Sequence, residues 1–136
     1  MSSTCYTNIL ILVVSLTLSQ LISISYGDDS SAVVHLINNL PNDHVVTNVT
    51  VTCKIQHGIP LLSVTLVLGQ DFPFDSGIHD LYVCYAEWGS LWALFNAYDQ
   101  DNEDKGHPIA YYSLRDRGIY KSWDKFIWTG LTDWDN

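Results

Sequence analysis

The residues that could do chemistry begin with Cys84. It sits in LYVCYAEWGSLWALFNAYDQD, Leu81 to Asp101, beside two tryptophans and ahead of a run of acids. A cysteine there can be a nucleophile, a metal ligand or half of a disulfide. A nucleophile needs a lowered pKa and a neighbouring base, and a metal site needs further ligands at regular spacing. The chain has three cysteines, Cys5, Cys53 and Cys84. Residues Ile9 to Leu18, ILILVVSLTL, have the length of the apolar core of a secretory leader, and Ser25-Tyr26-Gly27 places small residues where cleavage would occur before Asp28. The run is short for a membrane span of about 20 residues. Cys5 is then expected to leave with residues 1–27, so Cys53 and Cys84 remain as an even pair in an oxidising compartment, where a disulfide is the expected state. Closing a loop of about 31 residues stabilises a fold by roughly 3–4 kcal/mol in the chain-entropy picture.

The acids Asp99, Asp101, Glu103 and Asp104 form the densest charged cluster. Their spacing invites calcium, but the EF-hand pattern fails: Asp104 stands where its glycine belongs and Ala110 where its last glutamate belongs. The expectation is a solvated loop, with no metal. His35, His44, His57, His79 and His107 are scattered and form no zinc-binding spacing. Gly89-Ser90 is not a nucleophile elbow, and the isolated glycines make no phosphate loop. Asp71 and Asp75 are a carboxylate pair whose use depends on their separation. Asn48-Val49-Thr50 is an N-glycosylation sequon, with Asn48 on a polar face. The five tryptophans, Trp88, Trp92, Trp123, Trp128 and Trp134, suit either a packed core or sugar-stacking faces, and packing is favoured.

Strands must position these groups. Ala32 to Ile37 is β-branched, and Asn38 to Asp43 reads as a turn. Asn48 to Ile55 alternates, with Val49, Val51, Cys53 and Ile55 on one face, which turns Cys53 inward toward a bridge across the core. Leu61 to Leu68 is apolar nearly throughout and reads as a central strand buried on both faces. Gly69 to Gly77 contains a proline-limited edge piece. His79 to Trp88 and Leu91 to Tyr98 pair across Gly89-Ser90. Ile109 to Leu114, Gly118 to Lys121 and Lys125 to Trp128 read as shorter strands. About eight strands at intervals of ~8–12 residues make an all-β chain, a small antiparallel β-sandwich or barrel, in a single domain over residues 28–136.

Fifteen acids against six Lys and Arg leave a net charge of −9. That charge argues against nucleic acid, where affinity rests on basic residues, and against anionic membrane surfaces. It permits a basic partner.

The order of these residues resembles the plant self-incompatibility protein family, the S-protein homologues. Leu81, Tyr82, Cys84, Trp88, Phe95, Tyr98 and Asp99 match its central signature, Val34, Ile37, Asn38 and Leu40 its opening, and Val51-Thr52-Cys53-Lys54 its first cysteine strand. Ser113-Leu114-Arg115-Asp116 and Gly118 match its late strand and turn. Family members usually have four cysteines. The places expected for the second pair fall near Ala110 and Tyr120, and the usual tryptophan there is Tyr112. Both cysteines are absent together, which leaves a one-disulfide variant whose C-terminal part must rely on packing such as Tyr112, Trp123 and Trp128.

The resemblance implies a small, secreted, extracellular β-sandwich with no catalytic role and no cofactor, which presents polar loops to a cell-surface receptor protein. The implied recognition positions are Asn42 and Asp43 in one loop and Asp99, Asp101, Glu103 and Asp104 in another. A monomer is expected, with no membrane contact after leader removal. The alternative is a secreted structural or carbohydrate-binding wall protein using exposed tryptophans; an enzyme would need a pocket with converging Asp and His.

Overall fold

The structure, a computed structural model, describes residues 32–55, 60–76, 81–99 and 103–136. The expected leader over residues 1–27 lies outside the described residues, as do His57, His79 and Asp101.

The described residues form nine strands in two sheets. They are β1 (Val33–Asn38), β2 (Val49–Ile55), β3 (Pro60–Leu66), β4 (Asp71–Asp75), β5 (Tyr82–Trp88), β6 (Leu91–Ala97), β7 (Ile109–Arg115), β8 (Gly118–Ser122) and β9 (Thr129–Thr132). One sheet runs β4-β1-β7-β8-β9 and the other β3-β2-β5-β6. Neighbours are antiparallel except β1 and β7, which are parallel. The all-β expectation holds, and the fold is a sandwich.

Alternation builds the core. Val34 and Leu36 of β1, Ala110, Tyr112 and Leu114 of β7, and Ile119 of β8 face Val49, Val51, Cys53, Tyr82, Cys84, Ala86, Ala93 and Phe95 of the other sheet. Aromatic contacts join the layers: Phe74 meets Tyr82 edge-on at 5.8 Å and Phe95 meets Tyr112 at a tilt at 5.4 Å between ring centroids. Such pairs are worth about 0.5–1.5 kcal/mol beyond their buried area.

Three readings are corrected. Leu61 to Leu68 is not a central strand. β3 is the edge of its sheet, with Leu62 and Val64 half-buried, Leu66 buried, and Ser63 and Thr65 exposed. Val67 and Leu68 lie past its end and are exposed, so a continuous apolar run had joined a strand to a turn. Lys125 to Trp128 is not a strand either. The last strand starts at Thr129, because the side chains of Ser122 and Asp124 take up the intervening backbone N–H groups. The disulfide does not cross between layers, as described below.

The turn at Gly89 needs a left-handed backbone (φ 59°), which glycine adopts without a steric penalty, and it registers Trp88 opposite Leu91. The open edge of β6 is capped at Trp92 by the segment around Asp135. Trp92 and Asp135 exchange backbone hydrogen bonds of 2.8 and 2.9 Å, which removes pairing groups that would otherwise invite another strand.

Candidate recognition surface

The bridge fixes the scaffold on which the loops stand. Cys53 and Cys84 lie directly opposite each other on β2 and β5, with Cα atoms 4.1 Å apart and both side chains fully buried. The expected pairing is present, but it staples neighbouring strands of one sheet. The short Cα separation suits a pair whose backbones do not hydrogen-bond to each other, where side chains stand closest.

Asp104 departs from the expected solvated loop. It is 1% exposed. Its Oδ1 faces the Lys121 ammonium and accepts a hydrogen bond from Trp123 Nε1 at 2.8 Å, while Oδ2 accepts one from the Asp99 amide at 2.6 Å. The Asp104 amide in turn donates to the Asp99 carbonyl at 3.0 Å. The ring of His107 lies flat on Trp123, with centroids 3.9 Å apart. A carboxylate with these contacts anchors its loop to β8 and does not face a partner. A buried charge is tolerated when it is paired and hydrogen-bonded. Glu103, by contrast, is exposed and 3.7 Å from the same ammonium. Asp99 is half-buried at the loop's start.

Tyr98 enters this loop with a left-handed backbone (φ 56°), rare for a bulky residue. Two hydrogen bonds hold it: its amide donates to the Tyr112 hydroxyl at 2.7 Å, and its own hydroxyl donates to the His107 carbonyl at 2.6 Å. Burial, then the nearby Asp104 charge, pushes the Tyr98 phenol above its usual pKa. Burial pushes Tyr112 much further up, against the opposing hydrogen bond from Tyr98.

The other expected loop runs from Asn39 to Asn48. Asn42 and Asp43 form an exposed turn, with Asp43 3.8 Å from His44. Asn38, read as part of that turn, is instead the fully buried last residue of β1. Its Nδ2 donates to the carbonyls of Thr47 (2.8 Å) and Leu66 (2.9 Å), and its Oδ1 accepts from the Leu40 amide (3.1 Å). One side chain thereby closes both ends of the loop. Asn48 is exposed immediately before β2.

A third loop, missed in the sequence, joins β8 to β9. Ser122 Oγ accepts from the amides of Asp124 and Lys125, and Asp124 Oδ1 accepts from those of Phe126 and Ile127. These backbone donors, with the Ser122 hydroxyl, hold the Asp124 carboxyl below its ordinary pKa. The serine and aspartate were the available signal, since such side chains compete with strand hydrogen bonding.

The family model described as plant self-incompatibility protein S1 matches residues 33–134. The chain belongs to that family. Searches of curated proteins and of solved structures return no significant match.

The S1-family signature now has physical content in this chain. Asn38 is the loop clamp, Cys53 and Cys84 are the in-sheet bridge, and buried Trp88 donates from Nε1 to the Val46 carbonyl at 2.7 Å. The positions expected for a second bridge are not placed to form one. Ala110 lies on the core face of β7, whereas Tyr120 pairs with Ser113 on the opposite face. There Tyr120 and Trp128 hold the Arg115 guanidinium, at 4.6 and 4.7 Å from their ring centroids. Tyr112 fills the core in full burial.

Most of the tryptophans pack. Trp134 is half-buried against Trp88 (5.5 Å) and donates to the Arg115 carbonyl at 2.6 Å. Trp92 is half-buried on the outer face of its sheet, stacked on Tyr85 at 6.1 Å. Trp123 retains 41% exposure. Among the described residues no group of His, Cys, Asp and Glu is placed to hold a metal.

Proposed function

We propose that this S1-family protein is a secreted signalling ligand that presents its inter-strand loops to a receptor protein on a plant cell surface. The observation that carries the reading is the family match across residues 33–134. Two physical features support it. The Cys53–Cys84 bridge suits an oxidising, extracellular compartment. The loops are pre-organised: Asn38 clamps one, Asp104 another, and Asp124 the third. Ordering a loop before binding removes an entropic cost from the complex. Asn42, Asp43 and Glu103 stand exposed on these loops, and Asp99 and Asp101 belong to the same acidic segment. A binding role is supported by the closure of its most elaborate polar cluster, Asp104 with Lys121 and Trp123, on itself. A glycan on exposed Asn48 fits the same extracellular setting.

The test is binding of labelled, folded protein to intact plant cells. Saturable binding that is lost when the cells are first treated with protease supports a receptor; binding that never saturates counts against one.

The Tyr85–Trp92 stack favours a second reading, a wall-polysaccharide binder. It lies on an outer sheet face beside the hydroxyl pairs Thr50–Thr65 (3.0 Å) and Thr52–Ser63 (3.1 Å). Titration with cell-wall oligosaccharides, read by Trp fluorescence and by the Trp92→Ala variant, tests it.

A further inference from the structure

Phe126 and Ile127 stand into solvent side by side at 87% and 73% exposure. They are not floppy. Their amides are bound by Asp124, Lys125 has a left-handed backbone (φ 69°), and Trp128 Nε1 donates back to the Lys125 carbonyl at 3.1 Å. An apolar tip held this firmly is unusual for a surface with no partner, since exposed apolar patches mark interaction sites.

Beside Ile127 lies a cavity of about 180 Å³, lined by Trp123, Ile127 and Leu131 together with Asp124 and Glu103. Leu131 and Glu103 also line a shallower concavity of about 420 Å³ beside Leu94 and Asn96. The two concavities share Leu131 and Glu103 as walls, and together they make a groove-like surface from Ile127 past Leu131 to the 51% exposed Leu94.

Charge says what the groove takes. Lys121 also lines it, but its ammonium is matched by buried Asp104. That one ammonium is shared by Asp104 and Glu103, so with Asp124 the wall keeps a surplus of negative charge. Among the described residues Asp124 Oδ2 accepts no hydrogen bond, since the loop uses Oδ1. Of the cations on adjoining segments, Arg115 lies between Tyr120 and Trp128 and Lys125 over Tyr111 at 4.8 Å, while exposed Lys105 lines neither concavity. A second copy of the chain would bring a net charge of −9 against the same charge, which opposes self-association.

We propose that this groove docks an amphipathic basic segment of a partner polypeptide: its apolar side chains lie along Phe126, Ile127, Leu131 and Leu94, and an Arg or Lys enters the cavity with its head between Glu103 and Asp124. An Arg or Lys stem covers apolar surface while its charged end meets carboxylates. The proposal rests on the ligand reading only in taking the partner to be a polypeptide. The site lies on the β8–β9 loop, apart from the Asn42 and Asp43 turn.

The test uses the folded, disulfide-bonded protein and three labelled peptides of equal length, made of Leu with Arg, Leu with Ser, and Leu with Glu. Fluorescence anisotropy is expected to show the Arg peptide binding at least about tenfold more tightly than the Ser peptide, with no binding of the Glu peptide. The exposed double variant Phe126→Ser/Ile127→Ser, at unchanged Tm, is expected to weaken the Arg peptide by about tenfold or more. Glu103→Gln is expected to weaken it and to flatten its salt dependence. Equal affinity for Arg and Ser peptides, or indifference to Phe126→Ser/Ile127→Ser, overturns the proposal. So does a dimer in sedimentation that this variant dissolves, which would assign the groove to a second copy. If wild type and Phe126→Ser/Ile127→Ser bind plant cells with equal affinity, the groove fails and the ligand reading survives. If the Arg peptide binds through the groove while no cell binding is found, the ligand reading fails and the groove stands.

Discussion

The ammonium of Lys121 and the carboxylate of Asp104 face each other inside the protein, 6% and 1% exposed, and join the strand β8 to the acidic loop after β6. Two residues distant in the chain thus decide the shape of a surface loop. Breaking a buried pair leaves one uncompensated charge. Asp104→Asn and Lys121→Met should each lower stability by about 3–5 kcal/mol. The double variant should lose much less than the sum, because neither charge is then stranded. Urea denaturation of the four proteins in the cycle measures this.

Removing the bridge acts on the unfolded chain as well as the folded one. The linked residues are 31 apart, so Cys53→Ala/Cys84→Ala should lower stability by about 3–4 kcal/mol. The fold should persist, since β2 and β5 keep their pairing. Circular dichroism with denaturant titration separates these outcomes.

The bridge also shows how far the sequence could be read. Even alternation in β2 and the pairing of Cys53 with Cys84 were visible because both are local or arithmetical properties. The in-sheet geometry was not, since inward-facing cysteines can reach either a neighbouring strand or the opposite layer. The run Leu61 to Leu68 concealed an edge strand because apolar turn residues follow it without a break. Lys125 to Trp128 read as a short strand, while the short side chains of Ser122 and Asp124 captured the backbone instead. Asp104 looked solvated because its partner sits on a strand that only the tertiary fold brings near.

Asn38 should be the most sensitive of the loop residues. Asn38→Ala strands the carbonyls of Thr47 and Leu66 and the amide of Leu40. Leaving such groups unpaired should cost at least about 2 kcal/mol. Hydrogen exchange at the Leu40 amide should accelerate more than exchange in β2, which a global loss of stability would not produce by itself.

Acid should loosen the β8–β9 loop. The Asp124 carboxyl is held below its ordinary value by the amides of Ile127 and Phe126 and then by Ser122. A lowered folded-state pKa means that its contribution is fully present above the unfolded carboxyl value. The contribution then falls away as pH drops through the folded value. The Phe126 and Ile127 amide resonances should therefore be constant from neutral to mildly acidic pH and shift only below the usual aspartate range. Asp124→Asn should abolish that titration.

An extracellular, bridged domain is the premise of the ligand reading, and one measurement tests it most directly. Protein made in plant cells should be recovered from the medium and mapped by mass without reduction, with and without glycosidase. The expected map starts at Asp28, joins the Cys53 and Cys84 peptides, and carries a glycosidase-sensitive mass at Asn48. Protein retained inside the cell with an uncleaved N-terminus and free thiols would contradict secretion, and the receptor-ligand proposal would fall with it.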